Sequence, residues 1–169
     1  MKKITPLLFL FLTISSIVFA QISDIEKNAL LDLYNSTNGE NWNKTWNISE
    51  SAENWQGITI SNNAVTEINL SMNNLEGVLP TSIGDLKSLT HLNLGFNNIK
   101  GEIPVEICNS DNLESIQLFM NQITGELPSK IGNLANLKEL VLFNNFLNGA
   151  LPNSIYDLEN LEILHISSN

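Results

Sequence analysis

Apolar residues recur along most of this chain in a fixed figure, as in "LTHLNL" from Leu89 to Leu94. The end of that figure alternates apolar and polar positions, which predicts a short strand with one buried face. The figure returns every 24 residues, so Leu92, Ile116, Leu140 and Leu164 share one column and Leu94, Leu118, Leu142 and Ile166 another. Val65, Ile68 and Leu70 begin the pattern one step earlier. A single strand of this kind cannot bury its apolar side alone. The copies are therefore predicted to stack into a parallel sheet, coil upon coil.

The residues between strands keep the same step. Asn73, Asn97, Asn121, Asn145 and Asn169 sit where the chain turns away from the sheet, and a side-chain amide there can bond backbone groups stranded by the turn. Gly77, Gly101, Gly125 and Gly149 allow a positive φ, and Pro80, Pro104, Pro128 and Pro152 hold an extended path. Leu75, Ile99, Ile123 and Leu147 point back into the core, which Ile83, Ile107, Ile131 and Ile155 close from a short helical or 3-10 segment. Gly and Pro thus shape the return limb of each coil.

These residues, written as "LxxLxLxxNxLxGxIPxxIGxL", resemble the extracellular, plant-type leucine-rich repeat over Val65 to Asn169. The resemblance implies an α/β solenoid: a curved parallel sheet on the concave side, and short helical, 3-10 and extended segments on the convex side. About four and a half repeats fill 65–169, and no capping segment follows them. The segment 21–64 is read as a helical N-terminal cap. In "SDIEKNALLDLYNS", Ser23 and Glu26 form a capping box, and Ile25, Ala29, Leu30 and Leu33 make one apolar face. Trp42, Trp46 and Trp55 cluster behind the helix, either as a cover for the first coil or as a sugar-stacking platform. The family's cap cysteines are replaced by Glu53 and Ile60, which points to a bacterial version of the architecture.

Residues 1–20 read as a cleaved signal peptide. Lys2 and Lys3 precede an apolar run from Pro6 to Phe19, and Val18 and Ala20 place small residues before a cut at Gln21. The mature chain is expected to be secreted or held at the cell surface, with no membrane span. The net charge is −10, and loss of the two leader lysines takes it to −12. Arginine is absent from the chain. So acidic a surface argues against nucleic acid as a partner. The lone cysteine, Cys108, excludes an internal disulfide and is read as buried and inert.

Residues alternating with the core leucines should face outward on the concave side. The candidate ligand-binding residues are Glu67, Asn69 and Met72; His91, Asn93 and Phe96; Ser115, Gln117, Phe119 and Met120; Glu139, Val141, Phe143 and Asn144; and His165. Exposed aromatic and methionine side chains on a rigid sheet are what binding surfaces use, although phenylalanines in adjacent columns can also pack on one another. No catalytic or metal-binding motif is present, and no cofactor is expected. His91 and His165, like Glu67 and Glu139, lie three repeats apart, too far to share a metal or a proton transfer. The expected function is non-catalytic recognition of a protein or glycan. A structural spacer from a longer surface protein is the alternative, and the uncapped C-terminal edge could self-associate.

Overall fold

The computed structural model describes residues 21–169; the leader expected over 1–20 lies outside the described residues. Helix α1 (Asp24–Ser36) starts on the anticipated capping box. The Glu26 amide donates to Ser23 Oγ (3.2 Å) and the Ser23 amide to the Glu26 carboxylate (3.3 Å). Glu26 also accepts from the Val65 amide (3.0 Å), which ties the helix start to the first repeat. The buried face of α1 therefore runs through Glu26, Ala29, Leu30, Leu33 and Tyr34. Ile25, expected on that face, is 64% exposed, because the bond to Val65 turns Glu26 inward instead.

The three tryptophans form the core of the cap. Trp46 stacks between Tyr34 (5.9 Å, 18°) and Trp55 (4.7 Å, 12°), and Trp42 meets it edge-on (4.9 Å, 82°). Each indole N–H donates to a backbone carbonyl: Trp42 to Thr37 (2.8 Å), Trp46 to Gln56 (3.0 Å) and Trp55 to Asn47 (3.1 Å). All three are buried, so they form a cover for the first coil and not a sugar-stacking platform. Burying one such ring removes on the order of 200 Å² from water, an upper limit of about 5 kcal/mol each.

Strands β1 (Ile58–Ser61) and β2 (Ala64–Asn69) form an antiparallel hairpin. Its turn residues Asn62 and Asn63 have φ of 51° and 62°, the left-handed pair that a type I′ turn requires. Strand β1, which begins directly after Gly57, covers the first edge of the sheet. From β2 the sheet continues in parallel through β4 (His91–Asn93), β6 (Ser115–Gln117), β8 (Glu139–Val141) and β10 (Ile163–His165). The return limbs, read as merely extended, form a second parallel set of β3 (Glu76–Val78), β5 (Asn98–Gly101), β7 (Gln122–Gly125) and β9 (Phe146–Leu147). Short 3-10 turns follow Pro80, Pro104 and Pro152, and another spans Ile131–Asn133.

The asparagine column joins coils as well as closing turns. Asn97 Oδ1 accepts from the amides of Asn73 and Leu75 (both 3.0 Å), while its Nδ2 donates to the Leu70 and Leu94 carbonyls (both 2.9 Å). Asn121 and Asn145 repeat the Nδ2 pair and accept from the Ile99 and Ile123 amides (both 3.0 Å), while the Asn97 and Asn121 amides donate to the Met120 and Asn144 carbonyls (both 3.2 Å). Gly77 (φ 144°) passes so close to the cap that a Cβ would stand 1.9 Å from the Ser36 carbonyl oxygen. The leucine columns are fully buried until the last coil. There Leu164 is 41% exposed, and Leu151 and Ile163 are exposed with it. Cys108 is buried as expected, and burial pushes its thiol up to about 11. Among the described residues no helix is long and apolar enough to cross a membrane.

Candidate binding face

The sheet β2-β4-β6-β8-β10 brings the expected residues onto one face, sorted by their place along each strand. Glu67, His91, Ser115 and Glu139 are registered side by side at the strand starts. Asn69, Asn93, Gln117, Val141 and His165 follow in the next outward column. Beyond the strand ends lie Phe119 and Phe143, then Met72, Phe96, Met120 and Asn144. A row with two carboxylates, a mainly amide row and a mainly apolar row therefore run in parallel along the solenoid.

The apolar row is built on an unusual backbone. Met72, Phe96, Met120 and Asn144 all have φ between 53° and 56°, a left-handed conformation uncommon for side chains of this size. It is held by amide bonds to the next coil: Met72 to the Gly95 carbonyl (3.0 Å), Phe96 to Phe119 (3.0 Å), Met120 to Phe143 (2.9 Å) and Asn144 to Ser167 (3.1 Å). The left-handed turn lifts Met72 and Phe96 out of the surface, leaving them 69% and 47% exposed. On the cap side, Asn43 donates to the Met72 carbonyl (3.1 Å), and a shallow depression runs from Asn43 past Met72 and Phe96 to Met120.

The phenylalanines do pack on one another. Phe96 meets Phe119 at 5.4 Å and 84°, Phe119 stacks on Phe143 at 5.0 Å and 12°, and His165 stacks on Phe143 at 4.4 Å and 28°. Phe119 and His165 come from the coils on either side of Phe143, so both faces of the Phe143 ring are covered. Phe119 and Phe143 are half-buried in the ladder, and Phe96 at its cap-side end is exposed. Gly95 makes the ladder possible, because a Cβ at that position would stand 2.5 Å from the Phe119 ring. The sequence reading gave Gly95 no such part; a lone Gly one repeat before a Phe in the same column was the available signal.

The polar side is equally ordered. Glu139 accepts from Ser115 Oγ (2.8 Å) and Gln117 Nε2 (2.7 Å), so neutral donors fix its carboxylate. Two candidates are withdrawn from the surface. Ser115 is buried beneath that bond, and Val141 is buried as a short side chain registered between Gln117 and His165. At the rim, Lys138 bonds Glu114 (2.6 Å), which holds the Glu114 carboxyl below its ordinary range and raises the Lys138 ammonium. It is the one ion pair among the described residues. No three His, Cys, Asp or Glu side chains among the described residues are grouped to hold a metal ion.

This architecture has many relatives. Leucine rich repeat families match residues 63–123 and 136–158. The crystal structure of the BIR2 ectodomain from Arabidopsis thaliana is 30% identical with a TM-score of 0.76, over 86% of this chain and 80% of that one. The chain belongs to the leucine-rich-repeat family. Its repeats are of the plant type: Receptor-like protein 52 of Arabidopsis thaliana is 37% identical over 79 residues, 46% of this chain and 10% of that protein. The plant peptide hormone receptor RGFR1, solved in complex with RGF2, is 36% identical with a TM-score of 0.62, over 69% of this chain and 22% of that one. This leucine-rich-repeat chain thus spans only a small part of the length of those two receptors.

Proposed function

We propose that the chain is an exported, non-catalytic recognition module that binds a segment of another protein along its concave face. The observation that carries this reading is the apolar row: Met72 and Phe96 stand exposed on strained backbone, beside the Phe119–Phe143–His165 stack. Backbone strain tends to persist where a functional surface requires it. Exposed aromatic and methionine groups on a rigid sheet also lose little entropy on binding. The complex of RGFR1 with RGF2 supports a ligand of the same general kind. The stacking of Phe119 and His165 on Phe143 favours protein over glycan at that ring, since a sugar stacks on an open ring face. The leader-like residues 1–20 support export, and the missing cap cysteines with the arginine-free composition support a bacterial source.

The test is a binding screen of residues 21–169 against candidate surface proteins, peptide libraries and glycans. A variant with Phe96→Ser, Phe119→Ser and Phe143→Ser runs in parallel once its far-ultraviolet circular dichroism matches the parent. The parent is expected to retain a protein or peptide, and the variant to lose at least about tenfold in affinity. Equal binding by both would move the site to the cap or the convex face. Retention of glycans alone would reject the protein reading, and retention of nothing would leave a spacer.

A further inference from the structure

The rows on the concave face differ in charge as well as polarity, and that difference says what kind of segment fits. One wall carries the carboxylates of Glu67 and Glu139 with His91 and Ser115 registered between them, the floor carries mainly side-chain amides, and the opposite wall carries Phe and Met. Neither carboxylate has a cationic partner among the described residues, where Lys138–Glu114 on the rim is the only ion pair. Glu139 is also pre-oriented, because Ser115 and Gln117 both bond the same oxygen, Oε2, and no bond to Oε1 is made among the described residues. The walls are four residues apart along the strand, about 13 Å, and five strands give the trough a length of about 20 Å. A six-residue extended segment, or a single helix of about 10 Å diameter, fills such a space.

Resting on the protein-binding reading above, we infer that the trough selects a cationic amphipathic peptide segment. One Lys or Arg of the ligand pairs with Glu139, and an apolar side chain on its opposite face lies against the Phe96–Phe119–Phe143 cluster. The acidity of the whole chain, −10 with no arginine, supports the same choice by steering cationic partners towards it. Acidic segments are rejected, since they would place like charges against a fixed carboxylate.

The probe is a positional-scanning library of hexapeptides, acetylated and amidated so that their termini carry no charge. It is passed over immobilised residues 21–169 at about 0.05 M and about 0.5 M NaCl, which separates screened from unscreened attraction. Pools with Lys or Arg at one position and Leu, Met, Phe or Tyr at another are expected to be retained, more strongly at low salt. The best hexapeptide should weaken about tenfold on Glu139→Gln, the loss of one charge-assisted bond. A second variant, Glu67→Gln, distinguishes anchoring at Glu139 from a general field by weakening binding much less. Retained pools without cationic preference, or an unchanged affinity on Glu139→Gln, would overturn this inference while leaving the protein-binding reading standing. Retention of no pool above the level held by the triple Phe→Ser variant would reject both.

Discussion

Ser110 sits where Leu86, Leu134 and Leu158 fill the other coils, and like them it is buried. Its hydroxyl has no hydrogen-bond partner. A buried hydroxyl left unpaired costs about 1–3 kcal/mol, so Ser110→Ala is expected to raise stability by about 1 kcal/mol, read as a higher urea midpoint. Cys108, two residues earlier, makes a prediction of opposite character. Burial lifts its thiol from 9.0 to about 11, so the folded chain keeps a proton that the unfolded chain has already lost. The stabilisation is full below pH 9.0 and disappears as pH rises to about 11. The urea midpoint should therefore fall more steeply across that window in the parent than in Cys108→Ala. At pH 8 an aromatic disulfide reagent should label Cys108 only after denaturant is added. The burial of Cys108 was legible from its residue type, a small apolar thiol in a limb that closes the core, whereas the orphan hydroxyl was not, since a serine in a leucine column says nothing about what its oxygen meets.

At the scale of elements, the cap is fastened to the repeats by the β1–β2 ladder and by bonds from Thr37, Asn43 and Lys44, and Glu26 adds a bond to the buried Val65 amide. Glu26→Ala removes half of the capping box and leaves the Val65 amide unpaired in the interior, so a loss of about 2 kcal/mol is expected. Glu26→Gln keeps an acceptor oxygen and should lose less, in the same urea titration. The repeated strands, the asparagine turns and the 3-10 limbs were all legible because each recurs at one interval and each repetition restates the same constraint. The hairpin of β1 and β2 occurs once, and its Asn62-Asn63 turn lacks the glycine that usually announces a type I′ pair. Ile25 misled for a related reason: helical periodicity allows neighbouring faces, and a single long-range bond from Glu26 chose between them. On the binding face the columns were legible from alternation alone. The left-handed backbone under Met72 and Phe96 was not, because it is stabilised by carbonyls a whole coil away.

The molecule as a whole is a stack in which each coil touches mainly its neighbours, so its ends can differ in stability. Its N-terminal end is closed by the aromatic cap, whereas Leu164, Ile163 and Leu151 leave the last coil exposed. In a preparation of residues 21–169, unfolding is accordingly expected to start from the coil that carries Leu151, Ile163 and Leu164. Loss of far-ultraviolet ellipticity should precede any change in the cap as urea rises, and coincident curves would instead indicate a single cooperative unit. The placement of Trp42, Trp46 and Trp55 makes this experiment simple. Every indole of the chain lies in the cap, so its intrinsic fluorescence is an optical label for one end, with no dye or engineered probe needed. A ligand seated over Phe143 and His165 would leave that emission nearly unchanged, while one that docked against Asn43 and Met72 would shift it. The protein's own light thus reports how far along the trough a ligand reaches.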